Sequence, residues 1–273
     1  MKINLFILFA ISVILTFGCS KKSSNNEKEL KQGAEKVKKE LKQGVKKVKK
    51  ELKKDNVKDT KEENGKITDG RDGKVYKIVK IGEQTWMAEN LNYTKNDGFQ
   101  EQLKDTKNWK AGDANGWYYY DNKPENGKIY GALYQWKAAT KACPKGWHLP
   151  TKKEWTQLSS YLKSNGYSYD VEKKRKIAKS LASDNGWKNS KEEGVIGNND
   201  YPKFRNKSAF SALPAGNLSF GKFKSIGEKT YWWSSNDKDE RNAEGKSLIY
   251  DVSIVYSASA SKKNGLSVRC VKN

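Results

Sequence analysis

Residues able to do chemistry are few in this chain of 273 residues, which has one histidine and three cysteines. His148 sits in Gly146-Trp147-His148-Leu149-Pro150. No second His or Cys stands at metal-ligand spacing from it, which argues against a zinc site. A nucleophile activated by histidine would have to use that same ring, and Cys143 is better placed as a disulfide partner. No Gly-rich loop follows a strand with the spacing that cradles phosphates. Carboxylates are the remaining catalytic type: Asp69, Asp72, Glu83, Glu89, Asp113, Asp121, Glu154 and Asp251 all fall in the globular region. Two of them about 5–9 Å apart would suit glycoside hydrolysis. Glu154, however, has a capping role, and the others lie mostly beside turns. The chemistry therefore points to a non-enzymatic protein with no cofactor and no metal.

Binding is the better functional class. Aromatics make up 11% of the chain and cluster as Trp117-Tyr118-Tyr119-Tyr120 and Tyr231-Trp232-Trp233, with Trp109, Trp187 and Tyr201 in loop-like contexts. Exposed aromatic faces offer sugar rings or flat protein surfaces a large contact area at low entropic cost. Alternation along strands sends about half of such residues inward. Asn217 and Asn236 follow motif phrases where an amide could face a ligand or cap a turn. The candidate ligand-binding set is Trp109, Trp187, Tyr201, Asn217, Trp232, Trp233 and Asn236.

The elements that must position these residues are legible in part. Val75–Ile81 and Gln84–Met87 read as strands around a Gly82-Glu83 turn. Residues 117–120 read as a short aromatic strand, and residues 129–134 lead into a helix ending near Cys143. Thr151 and Glu154 fit a capping box ahead of Trp155, Leu158 and Leu162, which share one helical face. A third helix is predicted over residues 171–182, with Ile177, Ala178 and Leu181 inward. Strands are predicted over residues 231–235, 248–256 and 266–271, the last two joined by Ser261-Lys262-Lys263-Asn264-Gly265. Mixed helices and strands make the fold class α+β.

Ahead of this region the chain reads as an address and a stalk. Lys2, an apolar run over residues 3–17 and Thr16-Phe17-Gly18-Cys19 resemble a bacterial lipoprotein signal, although Thr16 stands where a Leu is usual. Residues 1–18 are then a signal peptide, Cys19 is the lipid anchor and residues 19–27 are a polar tether. An ordinary cleaved signal or an uncleaved helix is the alternative. Residues 28–54 repeat as KELKQGAEKVK, KELKQGVKKVK, KELKK, an eleven-residue period that keeps a narrow apolar stripe on one helical face. This basic helix could lie on anionic lipid, pair with another copy, or act as a solvated spacer. Residues 55–66 read as a linker and residues 67–273 as the domain.

With Cys19 lipidated, Cys143 and Cys270 form an even pair outside the cytoplasm and are expected as a disulfide, the alternative being two buried free thiols. The formal charge of +22 suggests an anionic partner. Export excludes nucleic acid and favours anionic lipid, acidic glycan or envelope proteins. About +8 of that charge lies in residues 20–66. Nine Trp and fourteen Tyr exclude a wholly disordered chain, and the lack of a second long apolar run excludes several membrane spans.

Five phrases carry a family resemblance: TDGRDGKVYKIVKIGEQTWMAENLNY from Thr68, GALYQWKAATKACPKGWHLPTKKEW from Gly131, FSALPAGN from Phe210, YWWSS from Tyr231 and GLSVRCV from Gly265. Together they resemble the Fibrobacter succinogenes major paralogous domain, a family of exported bacterial proteins, many of them lipoproteins, with no established reaction. More distantly, a helix ending in Cys, then Gly-Trp-x-Leu, a second helix opening with Thr and Glu, and a Cys in the terminal strand are similar to the C-type lectin-like fold. That resemblance implies small antiparallel sheets flanked by two or three helices, a Cys143–Cys270 bridge, Trp147 and Leu149 in the core, and Trp232-Trp233 on a central strand. It does not carry over calcium-dependent sugar binding, because the Glu-Pro-Asn and Gln-Pro-Asp triplets are absent from the sequence. The formylglycine-generating enzymes share a related fold and a similar Leu-Pro-Thr phrase, but they need a reactive cysteine pair that is not supplied here. The expectation is a lipid-anchored envelope binding module at the outer membrane or cell surface. A structural envelope protein acting through protein contacts is the alternative.

Overall fold

The computed structural model describes residues 35, 37–40, 59–95, 101–102, 115–172 and 174–273. Cys19, Trp109 and Asp113 lie outside them, as do the signal segment and the tether. The chain divides into two units, Met1–Val57 and Lys58–Asn273. In the first, Glu35 and residues 37–40 are helical and exposed, within the eleven-residue repeat. No helix among the described residues is long and apolar enough to cross a membrane.

The second unit opens with β1 (Lys61–Glu63), β2 (Lys66–Thr68), β3 (Val75–Ile81), β4 (Gln84–Met87), β5 (Glu101–Gln102) and β6 (Gly116–Tyr118). Helices and short strands follow: α1 (Pro124–Tyr130), β7 (Leu133–Tyr134), α2 (Trp136–Ala142), β8 (Trp147–His148), α3 (Lys152–Ser164) and the single turn α4 (Ala178–Leu181). The C-terminal part is β-rich, with β9 (Ala215–Ser219), β10 (Lys222–Ile226), β11 (Lys229–Asp237), β12 (Asn242–Ile249), β13 (Tyr256–Ser261), β14 (Leu266–Ser267) and β15 (Val271–Lys272). One sheet has the order β1-β2-β3-β4-β15-β8; the other runs β10-β9-β11-β14-β7-β6-β5, with β12 and then β13 added on β11. The architecture is mixed α+β.

The two sheets share the chain's last strands. β14 pairs with β7 and β11, whereas β15 pairs with β4 and β8. Val268, Arg269 and Cys270 make the crossing and are fully buried. The Val268 carbonyl accepts the Leu91 N–H at 2.8 Å and the Cys270 carbonyl accepts the Met87 N–H at 3.0 Å, so residues 87–91 are held against this crossing. A disulfide joins Cys270 to Cys143 just beyond α2, as expected.

α3 starts as its sequence requires. Thr151 Oγ accepts the Glu154 N–H at 3.2 Å, and Glu154 Oε2 accepts the Thr151 N–H at 2.7 Å. Trp155, Leu158 and Leu162 are its buried face. They join Trp86, Phe210 and Trp232 in one core cluster, where Trp86, Trp155, Phe210 and Trp232 meet with adjacent ring centroids 4.7–6.1 Å apart. A second cluster gathers Met87, Leu91, Tyr134, Trp147, Leu149 and Trp233.

Several sequence expectations are corrected. Residues 55–66, read as a linker, contain β1 and the start of β2, joined at Asn64-Gly65 with φ of 49° and 70°, the two-residue turn that suits hairpin twist. The helix predicted over residues 171–182 is only α4. Val171 is 77% exposed, and the Ser168 hydroxyl accepts the N–H groups of Asp170 and Lys176, a local turn that competes with helix. The strand predicted over 248–256 stops at Ile249; residues 250–255 connect the hairpin in which Ser247 faces Tyr256. The strand predicted over 266–271 is split between the sheets as β14 and β15. The aromatic strand over 117–120 ends at Tyr118, because a 3-10 turn at Tyr120–Asn122 places Asp121 at φ 54°.

A cleft over a buried arginine

One cleft assembled from the described residues measures about 340 Å³ and is lined from four directions. β3 contributes Val75 and Lys77, the segment after β4 contributes Glu89, Asn90 and Asn92, α1 contributes Lys128 and Ile129, and Ser211 and Leu213 close the far side. Arg269, in the crossing between β14 and β15, lines it from below and is 1% exposed.

Asn90 is the hub beneath the cleft. Its Oδ1 accepts Trp232 Nε1–H at 2.9 Å and Arg269 Nη2–H and Nε–H at 3.0 and 3.3 Å. Its amide donates to the Tyr130 carbonyl at 2.9 Å. Arg269 Nη1 donates to the Phe210 carbonyl, and the guanidinium carbon lies 4.2 Å from the Phe210 ring centroid. No carboxylate pairs with Arg269 among the described residues. Burial lowers its pKa to about 9, with Glu89 acting in the opposite sense, so the group is cationic at neutral pH. A buried cation normally has an anionic partner or a full set of acceptors; of the five N–H groups here, three have an acceptor among the described residues.

The walls have a definite character. Asn92 Nδ2 donates to the Gly127 carbonyl at 3.0 Å, while Asn92 Oδ1 is buried without a donor among the described residues. Val75 and Ile129 are 54% and 57% exposed, which gives the rim two aliphatic faces. Lys77 and Lys128 are exposed beside them, and Glu89 accepts the Lys77 N–H at 2.7 Å. Lys74 is engaged with the Asn92 carbonyl and Asp72. Gly131 has φ 79°, and a Cβ there would stand 2.8 Å from Asn90 Cβ and 2.9 Å from the Leu91 carbonyl. Only glycine lets α1 end this close to the Asn90 segment.

The residues singled out from the sequence lie elsewhere. Trp232 and Trp233 are buried core residues rather than ligand contacts. β11 lies inside the sheet, so its alternating side chains enter the two core clusters in turn. Trp187 is half-buried against the core and donates its indole N–H to the Ala212 carbonyl at 3.0 Å. Tyr201 stacks on Tyr169 with centroids 4.5 Å apart, and its hydroxyl donates to Glu193. Asn217 lies in β9 opposite Lys224. Asn236 Oδ1 accepts the Lys152 N–H at 2.6 Å, tying the end of β11 to the first turn of α3. None of these described candidates lines the cleft. His148 is held between Glu154 Oε1 and Asn273 Oδ1, both at 2.7 Å. Burial alone would raise the Glu154 carboxyl, but the Thr151 N–H and hydroxyl and His148 outweigh it and hold the pKa below the usual range.

Sequence reasoning missed Arg269, Asn90 and Asn92. The signal was present, since four of the five phrases quoted for the family resemblance supply lining residues. Two smaller clefts of about 220 and 200 Å³ share Lys246 and Ser257. Their cations are offset in part by Glu244, which pairs with Lys152 at 2.8 Å.

Fold and site together define a mixed α+β domain, closed by one disulfide, that holds a buried cation with no carboxylate paired to it among the described residues under an open cleft. The family model of the Fibrobacter succinogenes major domain matches residues 79–272, and the chain belongs to that family. Neither a curated protein nor a solved structure matches it.

Proposed function

We propose that this chain is a non-enzymatic binding module of the cell envelope, anchored through a lipid on Cys19 and carrying its ligand site in the cleft over Arg269. The observation that carries the reading is the buried guanidinium, which lines an open cleft with two N–H groups unmatched among the described residues. Such an arrangement is incomplete without an anionic or strongly polar ligand. Of the polar side chains around the cleft, Asn90, Lys74 and Glu89 are engaged in hydrogen bonds to the fold, which supports recognition over catalysis. The C-type lectin-like architecture belongs to the same proposal; supporting it are α2 ending at a cysteine bonded to the last crossing and α3 opening at Thr151.

Residues 1–18 act as the signal peptide, and the basic repeat over 28–54 serves as a stalk at the outer membrane or cell surface. Two measurements test the reading with the full chain. Mass spectrometry of the mature N-terminus is expected to find lipidated Cys19, and a start at Ser20 or later refutes the anchor. Adsorption to acidic envelope polysaccharide is expected to persist in high salt and to be lost in Arg269→Met. Adsorption that salt abolishes, or that Arg269→Met leaves intact, refutes the cleft as its site.

A further inference from the structure

Resting on the binding-module reading, the geometry points to a carboxylate-bearing sugar, a uronate of an acidic polysaccharide, as the class of ligand taken by the cleft. We infer that its carboxylate sits on Arg269 and a neighbouring ring hydroxyl on Asn92 Oδ1.

Four features select this chemistry. First, Nε–H and one Nη2–H of Arg269 converge on Asn90 Oδ1, and one Nη1–H goes to the Phe210 carbonyl. Among the described residues this leaves one N–H on each terminal nitrogen without an acceptor, donors that an anionic carboxylate would satisfy. Second, Asn92 Oδ1 is a buried acceptor without a donor among the described residues. It repels a second anionic oxygen and suits a hydroxyl, so the ligand presents one anion beside a donor. Third, Val75 and Ile129 present aliphatic faces at the rim, suited to the C–H face of a pyranose. Fourth, Lys74, Lys77 and Lys128 line the cleft with Glu89 as the one carboxylate among its described lining residues, a cationic mouth that draws in an anionic ligand. A volume of about 340 Å³ falls at the small end of small-molecule sites, about 300–1,000 Å³.

The test is calorimetric titration of the full chain with galacturonate oligomers, their methyl esters, neutral galactose oligomers and a sulfated oligosaccharide, at low and high salt. The expected result is saturable binding of the uronate that persists at high salt and weakens at least tenfold on esterification. Arg269→Met is expected to abolish it. Because that variant alters the interior, Asn92→Leu is measured alongside and is expected to weaken the uronate about tenfold with the melting temperature nearly kept. Equal, salt-labile binding of sulfated and uronate oligomers overturns the uronate assignment and leaves anion binding as the module's property. Neutral oligomers binding as well as uronates overturn the assignment and leave glycan binding. Absence of binding by all four overturns the module reading together with the inference.

Discussion

The Cys143–Cys270 disulfide offers the sharpest quantitative check, because it closes a loop of 127 residues in separation and adjoins the arginine of the cleft. In the chain-entropy treatment, cross-linking a loop of that length removes about 16–17 cal/mol/K from the unfolded chain, or about 5 kcal/mol at 25 °C. Native strain reduces this figure, so about 3–5 kcal/mol is the working range. Unfolding entropy near the melting point is about 2.1 cal/mol/K per residue. For a unit spanning Lys58–Asn273 that is roughly 0.45 kcal/mol/K, and opening the bridge should lower the melting temperature by roughly 7–11 °C. Near-UV circular dichroism would follow the melt of three samples: oxidised chain, reduced chain and the Cys143→Ala/Cys270→Ala variant. Cys270 is fully buried, so the variant should melt a further 1–2 °C below the reduced chain through lost packing, on the order of 1 kcal/mol. A fall of less than about 3 °C on reduction would refute the reasoning. It would mean that the crossing is held by its backbone bonds to residues 87–91 and that the unfolded chain gains little freedom. If the full effect is seen, ligand affinity should drop in parallel, since Arg269 and Asn90 are brought together by that same crossing.

Gly131→Ala should cost at least about 2 kcal/mol, read as a melting temperature lower by roughly 4–5 °C, because the φ of 79° and the approach to Asn90 both penalise a Cβ. Glu154→Gln should matter at neutral pH and not in acid. The folded Glu154 pKa is lowered, so its contribution is full above the unfolded value of about 4.3 and disappears as pH falls through the folded one. Urea midpoints at pH 7 and pH 3 measure the difference. Trp187→Ala should destabilise by about 1–3 kcal/mol in urea titration, and affinity should fall only along with that stability, since the indole packs on the core and holds the Ala212 carbonyl behind the cleft wall rather than lining the cleft. A loss of affinity at unchanged stability would return Trp187 to the ligand site.

Sequence pattern revealed those elements whose stabilising contacts are local. The β3–β4 hairpin and α3 are written in alternation, a turn and a capping box, all within thirteen residues or fewer. The Asn64-Gly65 turn was equally local, but β1 has three exposed residues, so no apolar alternation marks it as a strand. Trp232 and Trp233 illustrate a different limit. Neighbouring aromatics on a strand suggest one exposed face, yet a strand covered on both sides buries both, and only the sheet order reveals the cover. The crossing at residues 268–270 was invisible for a related reason: Leu266 to Val271 reads as one continuous alternating strand, and nothing local announces that its ends join different sheets.

That same crossing explains why the cleft was not legible. A charged residue inside an apparent strand reads as its solvent-facing position, and Arg269 fits that alternation. Its partners lie 59 and 179 residues away in sequence, so the environment that makes it unusual exists only after both sheets have formed. Once buried, a guanidinium with no carboxylate is an energetic liability that an apolar side chain of similar volume would avoid. Core polar groups left partly satisfied mark the places where local rules yield to function. Arg269→Met therefore separates the two roles by sign. If the arginine were only structural, losing its three hydrogen bonds should destabilise the unliganded chain by about 2–4 kcal/mol. If it is retained for a ligand, relief of the buried charge should hold the loss below about 1 kcal/mol while binding disappears.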